Sequence, residues 1–303
     1  MPTTIAIDVS KGFRLRSVVF SHGWYDLAPF RWDENSKRLE TAVSVGGGPI
    51  DLSIRQPSAR KIEIRSLTTL KKSNQSELHS IASNMLGLHL DLAPFYSSAG
   101  EQFVWACRLG VGRFLRGGSA FEDVVKMLAT TNCSWSLTKL MTTRMIERLG
   151  AATPEGRRAF PTAKALADVD LAFYRDEIRA GYRGEYFQRL ARRTASGELD
   201  IERWPRFEGD VVELGKLIRA ERGCGPYVVE NLGRLFGRFD GLSIDSWCRK
   251  KFVALFRSKA KDVDAAIRTK YKRFGRWQGL AFWLDLTKDW HVETEPGKGK
   301  FAL

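Results

Sequence analysis

The stretch LIRAERGCGPYVVENLGRLFGRFDGLSIDSWCRK, Leu217–Lys250, decides the fold. It reads as a helix, a tight Gly223-Cys224-Gly225 turn, a second helix and a short loop. The loop leads to Asp245 at the mouth of a third helix, 20 residues beyond Gly225. Glycines permit positive φ and leave the backbone amides uncovered. Pro226 suits the first turn of the following helix, whose positive end favours an anion. Taken alone, the turn is equally an ordinary connection between two helices with a glycine cap. Ser243 or Asp245 is equally a helix N-cap.

Charge adds to the pattern. The chain carries 49 Lys+Arg against 35 Asp+Glu, a formal +14. Residues 248–276 alone hold eleven Lys/Arg and two Asp, with Arg249 near the head of the run. An excess so concentrated, directly after the hairpin, points to a polyanionic partner rather than a merely solvated face.

Upstream, residues 1 to about 66 read as strands. TIAIDV, LRSVVF, LETAVSV, IDLSI and KIEIRS alternate or run apolar between breaks such as GGGP at 46–49. His22-Gly23-Trp24 through Trp32 adds aromatic bulk, most simply as packing between sheet and helices. From about 74 the spacing turns helical, with Leu78, Ile81, Ala82, Met85 and Leu86 on one face. Further helices are expected at 100–109, 119–130, 134–149, 162–176, 182–195, 208–221, 226–238, 245–258, 261–270 and 276–287. The expected class is α+β. An antiparallel β domain with its following helix fills 1–98, a mostly α-helical core 99–290, and a tail 291–303.

Composition narrows the function classes. The chain is 43% hydrophobic and 28% charged, with no apolar run long enough to cross a bilayer. Its start, MPTTIAIDVS, lacks the regions of a signal peptide, which predicts a cytosolic chain. Cys107, Cys133, Cys224 and Cys248 are scattered, and the four histidines form no i, i+4 pair. Reduced thiols are expected, with no metal site and no membrane partner.

GCGPYVVENLGRLFGR followed by LSIDSWCRK resembles the signature of the helix–hairpin–helix DNA glycosylases, over roughly residues 100–287. A β domain ahead of the helical core is also the plan of that family's 3-methyladenine and 8-oxoguanine branches. The resemblance implies a monomeric base-excision-repair enzyme whose partner is duplex DNA containing damaged bases. It would lie with the nucleoid in the cytoplasm of a prokaryote, or in the nucleus of a eukaryote. No cofactor is implied beyond a structural monovalent cation at the hairpin.

By the same resemblance, Gly223, Cys224 and Gly225 hold a DNA phosphate, and Arg249 also contacts DNA. Asp245 is the catalytic aspartate, stabilising the cationic sugar formed when the flipped base departs. Members that also cut the strand use a lysine two residues past the last hairpin glycine. Tyr227 stands there and cannot form a Schiff base, which implies a monofunctional enzyme.

Asn132, Tyr182 and Arg183 resemble residues of the 8-oxoguanine branch that fill the gap left by the flipped base and reach its orphaned partner. Asn132 as an N-cap and Tyr182 as loop packing remain alternatives. Phe282 and Trp283 resemble the helix that closes the base pocket, and are equally plain core at helical spacing. With Tyr227 they would form an aromatic slot for a positively charged alkylated purine of the 3-methyladenine type. An 8-oxoguanine substrate and a noncatalytic helix–hairpin–helix DNA-binding protein are the alternatives. The absence of cysteine after Cys248 argues against the iron–sulfur cluster of other branches.

Overall fold

Alternation along the N-terminal segments builds one antiparallel sheet in the computed structural model, which describes residues 2–292. Its strands are β1 (Thr3–Asp8), β2 (Arg31–Asp33), β3 (Arg38–Val45), β4 (Gly48–Ser58) and β5 (Lys61–Ser66). They lie in the order β1-β5-β4-β3-β2. Leu39 pairs with Ile54 and Ile54 with Ile64, and all three side chains are fully buried on one face. The period of two therefore places a continuous apolar ridge toward the helices. Between β3 and β4, Gly46 and Gly47 take φ of 60° and 79°, and Val45 faces Gly48. This two-residue hairpin needs positive φ at both central positions, which the glycine run supplies.

The helices are α1 (Leu15–Val19), α2 (Lys72–Met85), α3 (Ala93–Ser98), α4 (Val104–Leu109), α5 (Ala120–Ala129), α6 (Trp135–Leu149) and α7 (Ala163–Ala167). They continue as α8 (Leu171–Asp176), α9 (Arg183–Ala195), α10 (Val211–Arg219), α11 (Pro226–Leu235), α12 (Ser246–Phe256), α13 (Val263–Tyr271) and α14 (Gln278–Val292). Every residue of α5 is buried, and it packs against α6, α9 and α11. Its Lys126 is fully buried, bound to Glu122 at 2.5 Å and set 4.8 Å over the Phe30 ring. α2 contacts β1 and β3 and so links sheet to helices. A single cluster of buried apolar side chains runs from Ile7 in the sheet to Leu286 in α14.

Three expectations need correction. LRSVVF is not a strand: residues 15–19 form α1, with Leu15, Val18 and Val19 buried. Apolar residues at i, i+3 and i+4 fit a helix, and the run is too short for period alone to decide. The aromatic segment contributes the short edge strand β2 instead. The expected helix 162–176 is two: α7 ends at Ala167, and Asp170 caps α8 by accepting from the Phe173 amide at 2.8 Å. The short α3, with proline in its first turn, was absent from the helical pattern. The expected tail begins two residues inside α14, and residues 293–303 lie outside the described residues. Among the described residues no helix is long and apolar enough to cross a membrane, and no three His, Cys, Asp or Glu cluster to hold a metal ion.

Candidate active site and nucleic-acid interface

α10 and α11 form the predicted hairpin. Asp210 and Glu213 close a capping box at the start of α10, whereas no side chain caps α11, which opens at Gly225 with Pro226 in its first turn. The two glycines are not equivalent. Gly223 has φ 90°, and a Cβ there would lie 2.5 Å from the Tyr186 ring. Gly225 has φ −70°, and a Cβ there would meet nothing within 4 Å. Fold geometry thus requires the first glycine, while the second leaves the backbone open to whatever approaches from outside. Cys224 is placed otherwise than expected. Its side chain is buried, its thiol is pushed up to about 12 by burial, and its amide donates to Glu221 O at 3.0 Å. It belongs to the turn's interior.

Asp245 is the N-cap of α12: its Oδ1 accepts from the Cys248 amide at 2.7 Å. It also stands on the wall of a cavity of about 560 Å³, within the usual range for small-molecule sites of roughly 300–1,000 Å³. The capping and cavity roles therefore coincide in one side chain. Tyr227, Asn231 and Arg234, on the i, i+4, i+7 face of α11, line the same cavity. Burial and the nearby Asp245 charge hold the Tyr227 phenol above its ordinary range, so it remains protonated. Burial also pushes the Cys248 thiol up to about 12.

Tryptophans supply much of the remaining wall. Trp283, Trp247 and Trp290 form a triad with ring centroids 5.6–5.8 Å apart. Trp24 and Trp135 line the other part. Each of three rings is pinned through its Nε1–H: Trp24 donates to Asp123 at 2.9 Å, Trp135 to Asp26 at 2.9 Å and Trp283 to Ser21 O at 2.9 Å. Asp123 is itself fully buried and also accepts from the Gly117 amide at 2.7 Å. His22, likewise on the wall, is bound to Leu115 O at 2.7 Å through Nε2, which must be the protonated nitrogen. Burial lowers its pKa to about 3 and keeps the ring neutral.

Phe282 does not line the cavity. It is fully buried and meets Tyr271 edge-on at 5.1 Å, whereas its neighbour Trp283 lines the cavity. Adjacent helical residues diverge by about 100°, so only one of the pair faces the cavity. The proposed aromatic slot loses Phe282, and Trp247, Trp290, Trp24 and Trp135 stand in the wall instead.

Asn132, Tyr182 and Arg183 come together. Asn132, at φ 47°, donates from Nδ2 to the Tyr182 hydroxyl at 3.3 Å, so it is not the N-cap; Ser134 caps α6. Tyr182 is 51% exposed, and Cys133, Ser134 and Trp135 continue from Asn132 directly into the cavity wall. Arg183 differs from expectation. It is buried, with Nε donating to Thr131 O at 2.9 Å and Nη2 to Asn132 O at 3.0 Å. Its guanidinium secures the loop that presents Asn132. Arg249 is engaged by Asp264 in a bidentate pair at 2.7 and 2.9 Å. Exposed Lys250, Lys259, Lys261 and Lys272 carry the outward charge of that region.

Residues missed in the sequence are Trp24, His22, Trp135, Asn231, Arg234, Ser243, Trp247 and Trp290. A signal existed for two of them, because Asn231 and Arg234 follow Tyr227 at helical spacing. Ser243 and Trp247 flank Asp245 within two residues but carry no local mark of a wall position, and His22, Trp24, Trp135 and Trp290 come from remote segments that only the tertiary fold assembles.

No protein-family model matches the chain, and no curated protein matches its sequence. Solved structures do. The 3-methyladenine DNA glycosylase from Archaeoglobus fulgidus superposes with a TM-score of 0.75 at 16% identity, over 93% of this chain and 98% of that one. The apo form of Clostridium acetobutylicum 8-oxoguanine glycosylase/lyase gives 0.69 at 16% identity, over 93% and 95%. Its complex with double-stranded DNA containing cytosine opposite 8-oxoG gives 0.65 at 14%, over 94% and 98%. The chain therefore has the α+β fold of the helix–hairpin–helix DNA glycosylases across nearly its whole length.

Proposed function

We propose that this protein is a DNA N-glycosylase that hydrolyses a damaged base from duplex DNA. The observation that carries the reading is Asp245 on the wall of a tryptophan-lined cavity, in the same polypeptide stretch as an uncapped hairpin helix. The α11 N-terminus and the open backbone at Gly225 suit a phosphate. Tyr182 and Asn132, beside the cavity mouth, suit the gap that base flipping leaves in the stack.

In the proposed reaction the bond from C1′ to the base nitrogen breaks, and its electron pair leaves with the base. Asp245 stabilises the cationic sugar and accepts a proton from the water whose oxygen bonds to C1′. The departing base takes up a proton from solvent and Asp245 returns its own to solvent, which restores the carboxylate and leaves an abasic site. No cofactor enters this chemistry. Tyr227 cannot supply an amine, which supports hydrolysis without strand cleavage. Among the described residues Lys250 is the amine on the cavity wall.

Duplexes each carrying one lesion, alkylated or oxidised, test the reading when strand breaks are scored before and after alkali. Breaks only after alkali are expected for at least one lesion, with no adduct trapped by borohydride. A trapped adduct lost in Lys250→Gln would instead assign a lyase step to that lysine. Absence of base release from every duplex would reject the enzyme and favour a noncatalytic DNA-binding role.

A further inference from the structure

The cavity contains a cation that the proposed reaction does not use. Arg234 is buried on its wall, with Nη2 hydrogen-bonded to Asn231 and the guanidinium 4.1 Å from the Trp283 ring centroid. A second aromatic wall residue, Phe114, lies 5.7 Å from the same group. The cation–π attraction of Trp283, which would have welcomed a positively charged base, is thus already engaged by the protein's own arginine. Arginine remains charged even when buried. The wall carries Arg234 and Lys250 as cations and Asp245 as the carboxylate. That carboxylate is needed at the sugar.

Two polar atoms of this wall lack partners. Arg234 Nη1 and Ser243 Oγ are both covered from water and make no hydrogen bond. Ser243 is held at φ 53°, with its amide donating to Glu230 at 2.6 Å, two residues before Asp245. Native proteins rarely leave buried polar atoms unsatisfied, and such atoms at a cavity wall mark where a ligand's complementary group belongs. Nη1 is a donor with no accepting capacity, so its complement is a carbonyl oxygen or an unprotonated ring nitrogen.

Resting on the glycosylase reading above, we infer that Arg234 is a specificity-determining residue selecting an uncharged base with an acceptor, such as an oxidised or deaminated purine. It selects against bases with a fixed positive charge, such as 7-methylguanine. This reverses the alkylated-purine expectation. That expectation relied on Phe282 lying in the wall and on aromatic faces free for a cation.

The test uses the full chain and three duplexes, carrying 7-methylguanine, hypoxanthine or 8-oxoguanine. Base release is expressed as enhancement over each lesion's spontaneous loss, because a cationic base leaves faster unaided. Binding of the same duplexes is measured by competition with undamaged DNA. At least one neutral lesion should exceed 7-methylguanine in enhancement and in affinity by roughly tenfold or more. Arg234→Met, which keeps the bulk against Trp283, should abolish that preference, and Arg234→Lys should retain discrimination against 7-methylguanine. Equal or greater enhancement for 7-methylguanine, or an unchanged ranking in a folded Arg234→Met, would overturn the inference. If no base is released from any duplex, the glycosylase reading fails. The binding ranking then decides separately: a neutral-lesion preference lost in Arg234→Met supports the role of Arg234, and its absence refutes it.

Discussion

Gly223 and Tyr186 are in such close register that a Cβ on the glycine would sit 2.5 Å from the tyrosine ring. Tyr186 in turn meets the exposed Tyr182 edge-on at 5.6 Å. The hairpin and the exposed tyrosine bonded to Asn132 are therefore braced through one aromatic ring.

The two hairpin glycines should respond differently to alanine. Gly223→Ala must both hold φ near 90° with a side chain and displace Tyr186, and should cost about 1–3 kcal/mol or more. Gly225→Ala has open space and an ordinary φ, so stability should stay within roughly 0.5 kcal/mol while affinity for duplex DNA falls. Denaturant midpoints and DNA titrations on both variants check this. Equal loss of stability would contradict the assigned difference.

Replacing Tyr182 by alanine removes an exposed ring that packs on Tyr186 and accepts a hydrogen bond from Asn132. The melting temperature should barely move. Discrimination between lesion-bearing and undamaged duplex should drop, because filling the flipped-base gap offsets a few kcal/mol of unstacking. Unchanged discrimination would remove Tyr182 from the interface.

DNA affinity should fall steeply with salt. For about six phosphate contacts, going from roughly 50 to 200 mM should weaken binding on the order of a thousandfold. The exposed Lys259 and Lys261 should lower the slope when changed together to glutamine. Arg249 should contribute less, since Asp264 already holds its guanidinium. A slope near zero would show the basic run to be irrelevant to binding.

His22 gives the fold an acid sensitivity. Its folded pKa of about 3 lies below the ordinary 6.5 because burial disfavours the charged ring. Between those values the unfolded chain takes up a proton that the folded chain refuses. The stabilisation is full above pH 6.5 and declines as pH falls toward 3, by about 1.4 kcal/mol per unit at most. His22→Gln keeps a donor for Leu115 O without titrating, so urea midpoints compared at neutral and mildly acid pH should fall less in the variant. Parallel declines would place the acid sensitivity elsewhere.

Much of the architecture was legible because local signals agreed with the fold. The sheet strands other than β2, the glycine hairpin and the ends of α5, α6 and α9 follow from period and caps. The cavity was legible at Tyr227 and Asp245, which lie within the motif, and at Trp283 on a later helix. Trp24, Trp135 and Trp290 are separated by long stretches of chain, and nothing local distinguishes a wall tryptophan from a core one. Phe282 shows the same limit from the other side. Its helical spacing suits core and pocket equally, and the facing of α14, set by Tyr271 and the tryptophan triad, decides.

Base release by this site depends, in the proposed reaction, on the charge of Asp245. Asparagine keeps the N-cap bond to the Cys248 amide, since Asn caps as well as Asp, so Asp245→Asn should fold and bind lesion DNA like the parent. Single-turnover base release from the best lesion duplex is the decisive measurement. A loss of at least roughly a hundredfold is expected, in line with removal of one transition-state electrostatic group. Release at the parental rate by a folded, DNA-bound Asp245→Asn protein would contradict that dependence.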